Sequence, residues 1–397
     1  MHHHQHKGLT QQVLVGETLY LRAMRIEDAA CSAAWRPSPF PYSQSRATEW
    51  LEKEIPKDWE RHISRLVACR RKTDEVVGYA EISFDEDWPS VPVLIASAPV
   101  LREAGEAVRI EIMQVLVPYL IGERGVMAAT VTVGSEEHAS LEAARAIGMR
   151  DAYRIREGLR TADGGRQDWV TLQILGPFWM EKLGDPGAGI LAAGEPQRDP
   201  KSATPLVWPA SELPMPKNAL IASPRIALRP MEKEDAAAIA PTFLAEPESY
   251  GHTRMPFSPL LLSQYWHDLS EHTPSNEVEF AVVLRETGEV IGDVGLYFID
   301  WDNRTAESGS WIYRPEHRGG GLGTEAKQLL FEWAFNHLDI HVIWSWVMTP
   351  NERSATALIK QGYRTAGRMD WVGLGPDGPR SFFIYDLTAE EWRAARR

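Results

Sequence analysis

The chain has 397 residues, 44% of them hydrophobic and 24% charged, with a formal net charge of −13. That length supports two or three globular domains, each with its own core, and two is the starting expectation. The acid excess falls on both halves, which excludes a binder of phosphate backbones and favours cationic partners such as amines, polyamines or basic peptides.

In chain order, residues 1–12 begin with Met1-His2-His3-His4-Gln5-His6-Lys7, a tag-like or disordered His-rich tail. No run reaches the roughly 20 apolar residues of a bilayer span and no apolar signal core follows Met1, so a soluble, cytoplasmic protein without membrane partners is expected. Cys31 and Cys69 form neither a metal-ligand spacing nor a disulfide framework, and no metal site is expected.

Leu19-Tyr20-Leu21-Arg22-Ala23-Met24 recurs as Ile226-Ala227-Leu228-Arg229-Pro230-Met231, each copy followed by Glu-Asp-Ala-Ala. Glu75-Val76-Val77-Gly78 returns as Glu289-Val290-Ile291-Gly292, and Ile147-Gly148-Met149-Arg150 as Gln361-Gly362-Tyr363-Arg364. An ordered series at slowly drifting offsets points to two diverged copies of one domain, with insertions in loops. Seven prolines and several glycines across residues 183–220 disfavour helix and sheet and mark a linker. The expected domains are therefore 13–182 and 221–397.

The second copy carries the clearer elements. Val278–Leu284 and Glu289–Ile299 read as strands about the Glu286-Thr287-Gly288 turn, and Ser308–Tyr313 as a short central strand. Apolar residues at Ala326, Leu329, Leu330, Trp333 and Ala334 predict a helix over Gly323–Leu338. A strand over His341–Met348 and a helix over Ser354–Gln361 follow.

Between the central strand and the first of these helices lies Arg318-Gly319-Gly320-Gly321-Leu322-Gly323. A strand running through clustered glycines into a helix gathers backbone N–H groups and the positive end of a helix dipole around one point, which makes an anion site. A flexible surface turn with a basic residue is the plainer reading. The spacing fits neither a nucleoside-triphosphate loop nor a dinucleotide fingerprint.

With its surroundings, this stretch resembles the GNAT superfamily of coenzyme A-dependent acyltransferases, and within it the ribosomal-protein N-terminal acetyltransferase branch. Arg318, Gly321 and Gly323 meet the loop pattern, Asn351-Glu352-Arg353-Ser354 and Gly362-Tyr363 the next landmarks, and Ser381–Leu387 with Glu390-Glu391-Trp392 the close. The resemblance spans nearly all of 224–397. It implies an α/β (α+β) architecture of two tandem GNAT folds, each a mixed, mostly antiparallel sheet with a V-shaped splay, flanked by helices.

It also implies an acetyl-CoA-dependent N-acetyltransferase acting by direct attack in a ternary complex on a small-molecule amine or a peptide N-terminus, as a monomer or homodimer. The loop N–H groups from Arg318 through Gly319, Gly320, Gly321, Leu322 and Gly323 to Thr324 would hold the cofactor diphosphate. The backbone of Trp311, Ile312 and Tyr313 would pair with the pantetheine arm. Asn351 would contact that arm, or cap the helix after it.

Glu307 is the candidate base, against a reading as an exposed carboxylate just before the central strand. The family's acid, a tyrosine on the helix after the Asn, falls on Leu358, leaving Ser354 as its substitute or as a helix cap. Tyr250, His252, Trp266 and Trp301 are cleft candidates, or core and surface aromatics.

At the equivalent loop the first copy has Arg102-Glu103-Ala104-Gly105-Glu106-Ala107, and Glu137 stands where Asn351 is expected. Carboxylates beside a diphosphate and lost glycines predict a copy that keeps the fold but binds coenzyme A weakly or not at all. A non-catalytic acyl-CoA sensor is the competing reading.

Overall fold

The computed structural model describes residues 12–35, 42–58, 63–83, 93–97, 105–187, 208, 211–245, 258–270, 275–349, 351–375 and 378–395. Two compact units emerge: Met1–Arg154 with Trp169–Ala192 and Arg368–Ser381, and Ile155–Asp168 with Ala193–Gly367 and Phe382–Arg397. Both are mixed α/β.

In the first unit, strands β1 (Gln12–Val15), β2 (Leu19–Ala23), β3 (Ile63–Arg70), β4 (Val76–Ser83) and β5 (Val93–Ser97) form an antiparallel run. β5 pairs in parallel with β6 (Ala128–Gly134), and β6 pairs antiparallel with β8 (Arg166–Leu175), whose other neighbour is β7 (Arg150–Arg160). Helices α1 (Ser32–Trp35) and α2 (Gln44–Glu54) close one face through Trp35, Ala47 and Leu51. Helices α3 (Gly105–Pro118) and α4 (His138–Ala146) close the other through Ile112, Leu116, Leu141 and Ala144, and α5 (Pro177–Leu183) follows β8.

The second unit repeats this plan. β9 (Ile221–Ala222), β10 (Ile226–Pro230), β11 (Val278–Leu284), β12 (Val290–Asp300) and β13 (Thr305–Ile312) are antiparallel. β14 (Val342–Met348) pairs in parallel with β13 and antiparallel with β16 (Gly378–Thr388), beyond which lies β15 (Arg364–Gly375). Helices α6 (Asp235–Ala245) and α7 (Pro259–Ser270) cover one face. Helices α8 (Leu322–His337), α9 (Glu352–Lys360) and α10 (Ala389–Ala394) pack on the other through Leu329, Leu330, Leu358 and Trp392.

The repeated motif has a physical basis. Arg22 donates two hydrogen bonds to Asp28 and one to the Ala23 carbonyl, while the Arg25 N–H also bonds Asp28. Arg229, Asp235, the Pro230 carbonyl and the Glu232 N–H repeat the set bond for bond. A bidentate, buried guanidinium–carboxylate pair locks the turn from strand to helix, so the letters recur wherever that turn does. The strand register also repeats, with a bulge after Ala68↔Gly78 in one unit and after Val282↔Gly292 in the other.

The units are discontinuous in sequence, unlike the expected 13–182 and 221–397. The hairpin tip Ile155–Asp168 belongs to the second unit, where Arg156 bridges Asp386 and Glu391. Arg368–Ser381 belongs to the first, where the Gln173 amide and the Asp370 backbone exchange hydrogen bonds of 2.7 and 3.0 Å. Local composition carries no trace of these partners, which lie about 200 residues away along the chain. Most of the 183–220 linker and the tail at 1–11 fall outside the described residues.

Candidate functional site

The parallel ladder between β13 and β14 has three rungs, Thr305↔Val342, Ala306↔Ile343 and Glu307↔Trp344, and then stops. Both strands run on, to Ile312 and Met348, so they diverge into a V whose head is Glu307. Just past the last rung the Ser345 hydroxyl donates to the Ser308 carbonyl at 2.9 Å, so a side chain replaces the next ladder bond. Tyr313 donates its N–H to Ile291 on β12. By strand alternation Trp311 turns the same way, and Ser310 and Ile312 present their backbones to the V. Of the trio Trp311, Ile312 and Tyr313, Ile312 is the one whose backbone faces the V.

Arg318 folds back from the loop, its guanidinium donating to the carbonyls of Ile312 at 2.8 Å and Tyr313 at 2.9 Å. This fastens loop to strand. Gly319 and Gly321 both adopt φ of +82°, a left-handed conformation that side chains disfavour, and Gly321 is the N-cap of α8. Left-handed residues flanking Gly320 turn successive N–H groups to one side, and the 16-residue α8 begins without a side-chain cap. The site fits a diphosphate by both measures.

A cation missed in the sequence adds to it. Arg225, in the β9–β10 turn, donates to the Gly320 carbonyl at 3.0 Å and to Glu325 at 2.7 Å. Glu325, in the first turn of α8, also accepts from the Ser223 hydroxyl, so its charge is balanced where an anion is expected. Only the distance between residues 225 and 325 hid this pairing.

Glu307 is not an exposed strand-entry carboxylate: it lies inside β13 and is 8% accessible. Burial pushes its carboxyl up to about 8, against the opposing pull of Lys327 and a hydrogen bond donated by Trp346. Trp346 is itself held by stacking on Phe382, with ring centroids 4.3 Å apart. A carboxyl that titrates near neutrality can take a proton from an ammonium group.

The next residue, Ser308, points to the opposite face, into a cluster that sequence reading missed. Its hydroxyl lies 2.6 Å from the Tyr363 hydroxyl, and Lys327 on α8 donates to its Oγ at 3.1 Å and its carbonyl at 3.3 Å. Burial lowers Lys327 to about 7. A signal existed, since Lys327, Leu330, Phe331 and Ala334 share the buried face of α8 at spacings of three and four.

On the Glu307 face, Glu279 accepts from the Trp266 indole at 2.8 Å and the Tyr297 hydroxyl at 3.0 Å, while Tyr313 bonds Asp293. Burial raises both carboxyls; the Glu277 charge raises Glu279 further, and the Glu279 charge raises Asp293 further. Gly295 and Gly309 make room for the Tyr297 ring, which a Cβ at Gly309 would meet at 2.7 Å. Trp266 thus belongs to the site face, whereas Trp301 donates to the Ser275 carbonyl and packs on the α8 side. Tyr250 and His252 lie outside the described residues.

Asn351 caps α9, accepting from the Ser354 N–H at 3.1 Å. Leu358, one turn beyond Ser354, is 3% accessible within the core.

The family pattern described as an acetyltransferase (GNAT) domain matches residues 225–364. An uncharacterized N-acetyltransferase, p20, of Bacillus licheniformis is 32% identical over 148 residues, 36% of this chain and 81% of that protein. The chain belongs to the GNAT family of N-acetyltransferases. A second GNAT relative, the uncharacterized N-acetyltransferase YoaA of Bacillus subtilis, is 27% identical over 150 residues, 37% of this chain and 84% of its own. Among solved structures, ribosomal-protein-S5-alanine acetyltransferase from Vibrio fischeri is 21% identical, covering 42% of this chain and 94% of that one at a TM-score of 0.38. GNAT enzymes move acetyl groups to amines, and that is the activity class of this chain.

In the first unit the ladder between β5 and β6 also ends, at Val93↔Thr130, while both strands run on to Ser97 and Gly134, so the splay is kept and the two units differ in the side chains around it. Arg102, Glu103 and Ala104 lie outside the described residues, and Gly105 already begins α3. Glu106 turns its carboxylate onto the Ser140 N–H and hydroxyl, at 3.0 and 3.2 Å, and so caps α4. Glu137, the counterpart of Asn351, pairs with Arg109. Among the described residues, no group of His, Cys, Asp and Glu could hold a metal, and no helix is long and apolar enough to cross a membrane.

Proposed function

We propose that the second unit transfers an acetyl group from acetyl-CoA to a basic primary amine, with Glu307 as the base and the first unit serving as scaffold. The observation that carries the reading is the left-handed glycine loop at the start of α8 lying beside a slot that has the buried Glu307 carboxyl at its head, where the ladder ends while both strands continue. The N–H groups from Arg318 to Thr324, with Arg225, would grip the diphosphate, and Ser310 and Ile312 would border the arm. Acetyl-CoA supplies an activated acyl carbonyl and a thiol leaving group. Glu307 takes the proton of the incoming ammonium, directly or through a water, which makes the amine nucleophilic.

A basic acceptor is supported by the charge on the Glu307 face. In the first unit, Arg65 faces Glu81 across the ladder; it bonds Glu81 at 2.9 Å, pairs with Asp58 and lies under the Trp50 ring. In the second unit the same ladder position holds Glu279 opposite Gly295, under Trp266, with Asp293 nearby. One copy carries its own cation among the acids. The other presents acids and aromatic rings, which suit an ammonium or guanidinium from outside.

Calorimetric titration of the full chain with coenzyme A should give one tight site, and thiol release from acetyl-CoA should follow addition of basic amines. Two tight sites would contradict the scaffold role. One site with no thiol release across a broad amine panel would favour a sensor, consistent with the burial of Leu358 where the family's acid is expected.

A further inference from the structure

Tyr297 stands opposite Glu307 in the β12–β13 ladder, so both side chains leave the sheet on the same face. Its ring does not project outward. It lies back over Gly295 and Gly309, which face each other one row along the ladder. A Cβ at Gly309 would meet the ring at 2.7 Å, and a Cβ at Gly295 would meet the ring at 3.1 Å and the hydroxyl at 3.0 Å. A side chain at either position displaces the ring.

The backbone is bent to give this aim. Phe298, the next residue, has φ of +48°, a left-handed conformation that a bulky side chain rarely adopts, and the β12–β13 register shifts between Tyr297 and Asp300. A bulge of this kind re-aims the side chain beside it. The far end of the ring is fixed too: the Tyr297 hydroxyl donates to one Glu279 oxygen at 3.0 Å, and the Trp266 indole donates to the other at 2.8 Å.

The first unit builds the same strand order without this ring. Ser83 faces Val93 where Tyr297 faces Glu307, and Glu81 faces Ile95 where Gly295 faces Gly309. Arg65 stands in the place of Glu279. The tyrosine, its two glycines and its carboxylate partner differ together, so the fold alone does not call for them.

We propose that Tyr297 is a specificity-determining residue of acetyl transfer: its ring is a platform on which the acceptor rests a second positive charge, while the amine that reacts lies at Glu307. The proposal rests on Glu307 acting as the base. The reacting nitrogen gives up its proton before attack, so a charge that stays on the acceptor throughout belongs to another group. One ladder row and two strand spacings separate Glu279 from Glu307, about 12 Å between Cα atoms, and the Tyr297 ring lies between them. A cation there meets the negative face of the ring with the Glu279 carboxyl at its edge. The class selected is a primary amine with a further ammonium or guanidinium on a short apolar spacer, either a free diamine or a peptide whose second residue is basic.

The test titrates the full chain, saturated with coenzyme A, by calorimetry, so binding is read without turnover. Two matched pairs are the probes: diaminobutane against butylamine, and a short peptide beginning Ala-Lys against the same peptide beginning Ala-norleucine. Y297L removes the ring, Y297F keeps the ring without its hydroxyl, and Gly309→Ala displaces the ring in place. The wild type should prefer the doubly charged member of one pair, which names the source. Y297L and Gly309→Ala should weaken that member about 5- to 30-fold and its singly charged partner less than about twofold, whereas Y297F should keep most of the preference. In thiol release the loss should fall on KM, with kcat changed far less.

A wild type without preference in either pair, or a preference unmoved in Y297L and Gly309→Ala, would overturn the proposal. So would a Y297F as impaired as Y297L, because the hydroxyl on Glu279 and not the ring would then set the preference. A Y297L protein that fails to fold leaves Gly309→Ala to decide. If E307Q keeps the wild-type rate, the reading of Glu307 as base fails; a dead E307Q with preference unmoved in the ring variants removes the platform alone.

Discussion

Replacing Glu307 by Gln separates a catalytic carboxylate from a structural one, because the two roles predict opposite consequences for stability and rate. Burial raises the Glu307 carboxyl from 4.5 to about 8. At 1.36 kcal/mol per unit, that corresponds to roughly 5 kcal/mol of stability, an upper figure because Lys327 shares the site. The folded state holds this proton more tightly than the unfolded one, so the contribution is fully present below pH 4.5 and is lost as pH rises through about 8. Gln carries no such loss and keeps an amide oxygen for the Trp346 indole. Relative to wild type, E307Q should therefore gain stability progressively between pH 4.5 and 8 and hold that gain above it.

Urea denaturation at half-unit pH steps measures the gain, and thiol release from acetyl-CoA measures the rate. We expect kcat/KM to fall about 10²- to 10⁴-fold, the usual contribution of a general base. In the wild type kcat/KM should climb with pH along an acid limb centred near 8. A variant that retains most of the activity, or a stability difference that does not vary with pH, refutes the reasoning.

Three further substitutions probe neighbouring parts. Gly321→Ala forces a side chain into φ of +82°, at a cost of about 1–2 kcal/mol, and should weaken coenzyme A binding about 5- to 30-fold in calorimetric titration while leaving the fold intact. Asp293→Asn removes a carboxyl group from the Glu307 face of the sheet; KM for a basic amine should rise about tenfold with kcat changed far less, and an unchanged KM would remove Asp293 from the proposed acceptor site. Arg156→Ala strips Asp386, which is fully buried, of one of its two guanidinium partners, and should cost about 3 kcal/mol by urea denaturation. A loss under 1 kcal/mol would mean that Arg364 alone satisfies Asp386.

What could be read from the sequence was what depends on neighbours along the chain. The left-handed turns at Gly319 and Gly321 need glycine whatever surrounds them, and the spacing of Leu329, Leu330, Trp333 and Ala334 fixes a helix by itself. The strand Val278–Leu284 was expected with the bounds it has, because its turn is closed locally by Gly288 at φ of +75°. The splay's head was placed slightly late, since the central strand begins at Thr305 and not Ser308, and this hid Glu307 inside the sheet.

The rest depends on contacts between residues far apart. Arg225 with Glu325, Ser308 with Tyr363 and Arg156 with Asp386 are separated by 100, 55 and 230 residues. Lys327 was legible in principle, as a lysine in phase with apolar residues on a helix. A buried cation is rare enough that such a phase match is worth testing against every strand the helix will cover.

The two units place different charges at the same few positions of one strand order. In the first, the carboxylates near the start of α3 and on the sheet face meet cations or N–H groups of their own chain: Glu106 with Ser140, Glu137 with Arg109, Asp58 and Glu81 with Arg65. In the second, Glu279 and Asp293 stand at the ladder positions of Arg65 and Tyr79, against indole and phenol donors, which bond a carboxylate without neutralising it. Burial without a countercharge raises both carboxyls, so a bound ammonium would stabilise their ionised forms and release protons. Acceptor binding should then liberate protons, seen as a calorimetric enthalpy that depends on the ionisation heat of the buffer. That proton release should shrink in Asp293→Asn. An enthalpy that is the same in phosphate and Tris would mean that the acids stay protonated and that the acceptor's cation is held elsewhere.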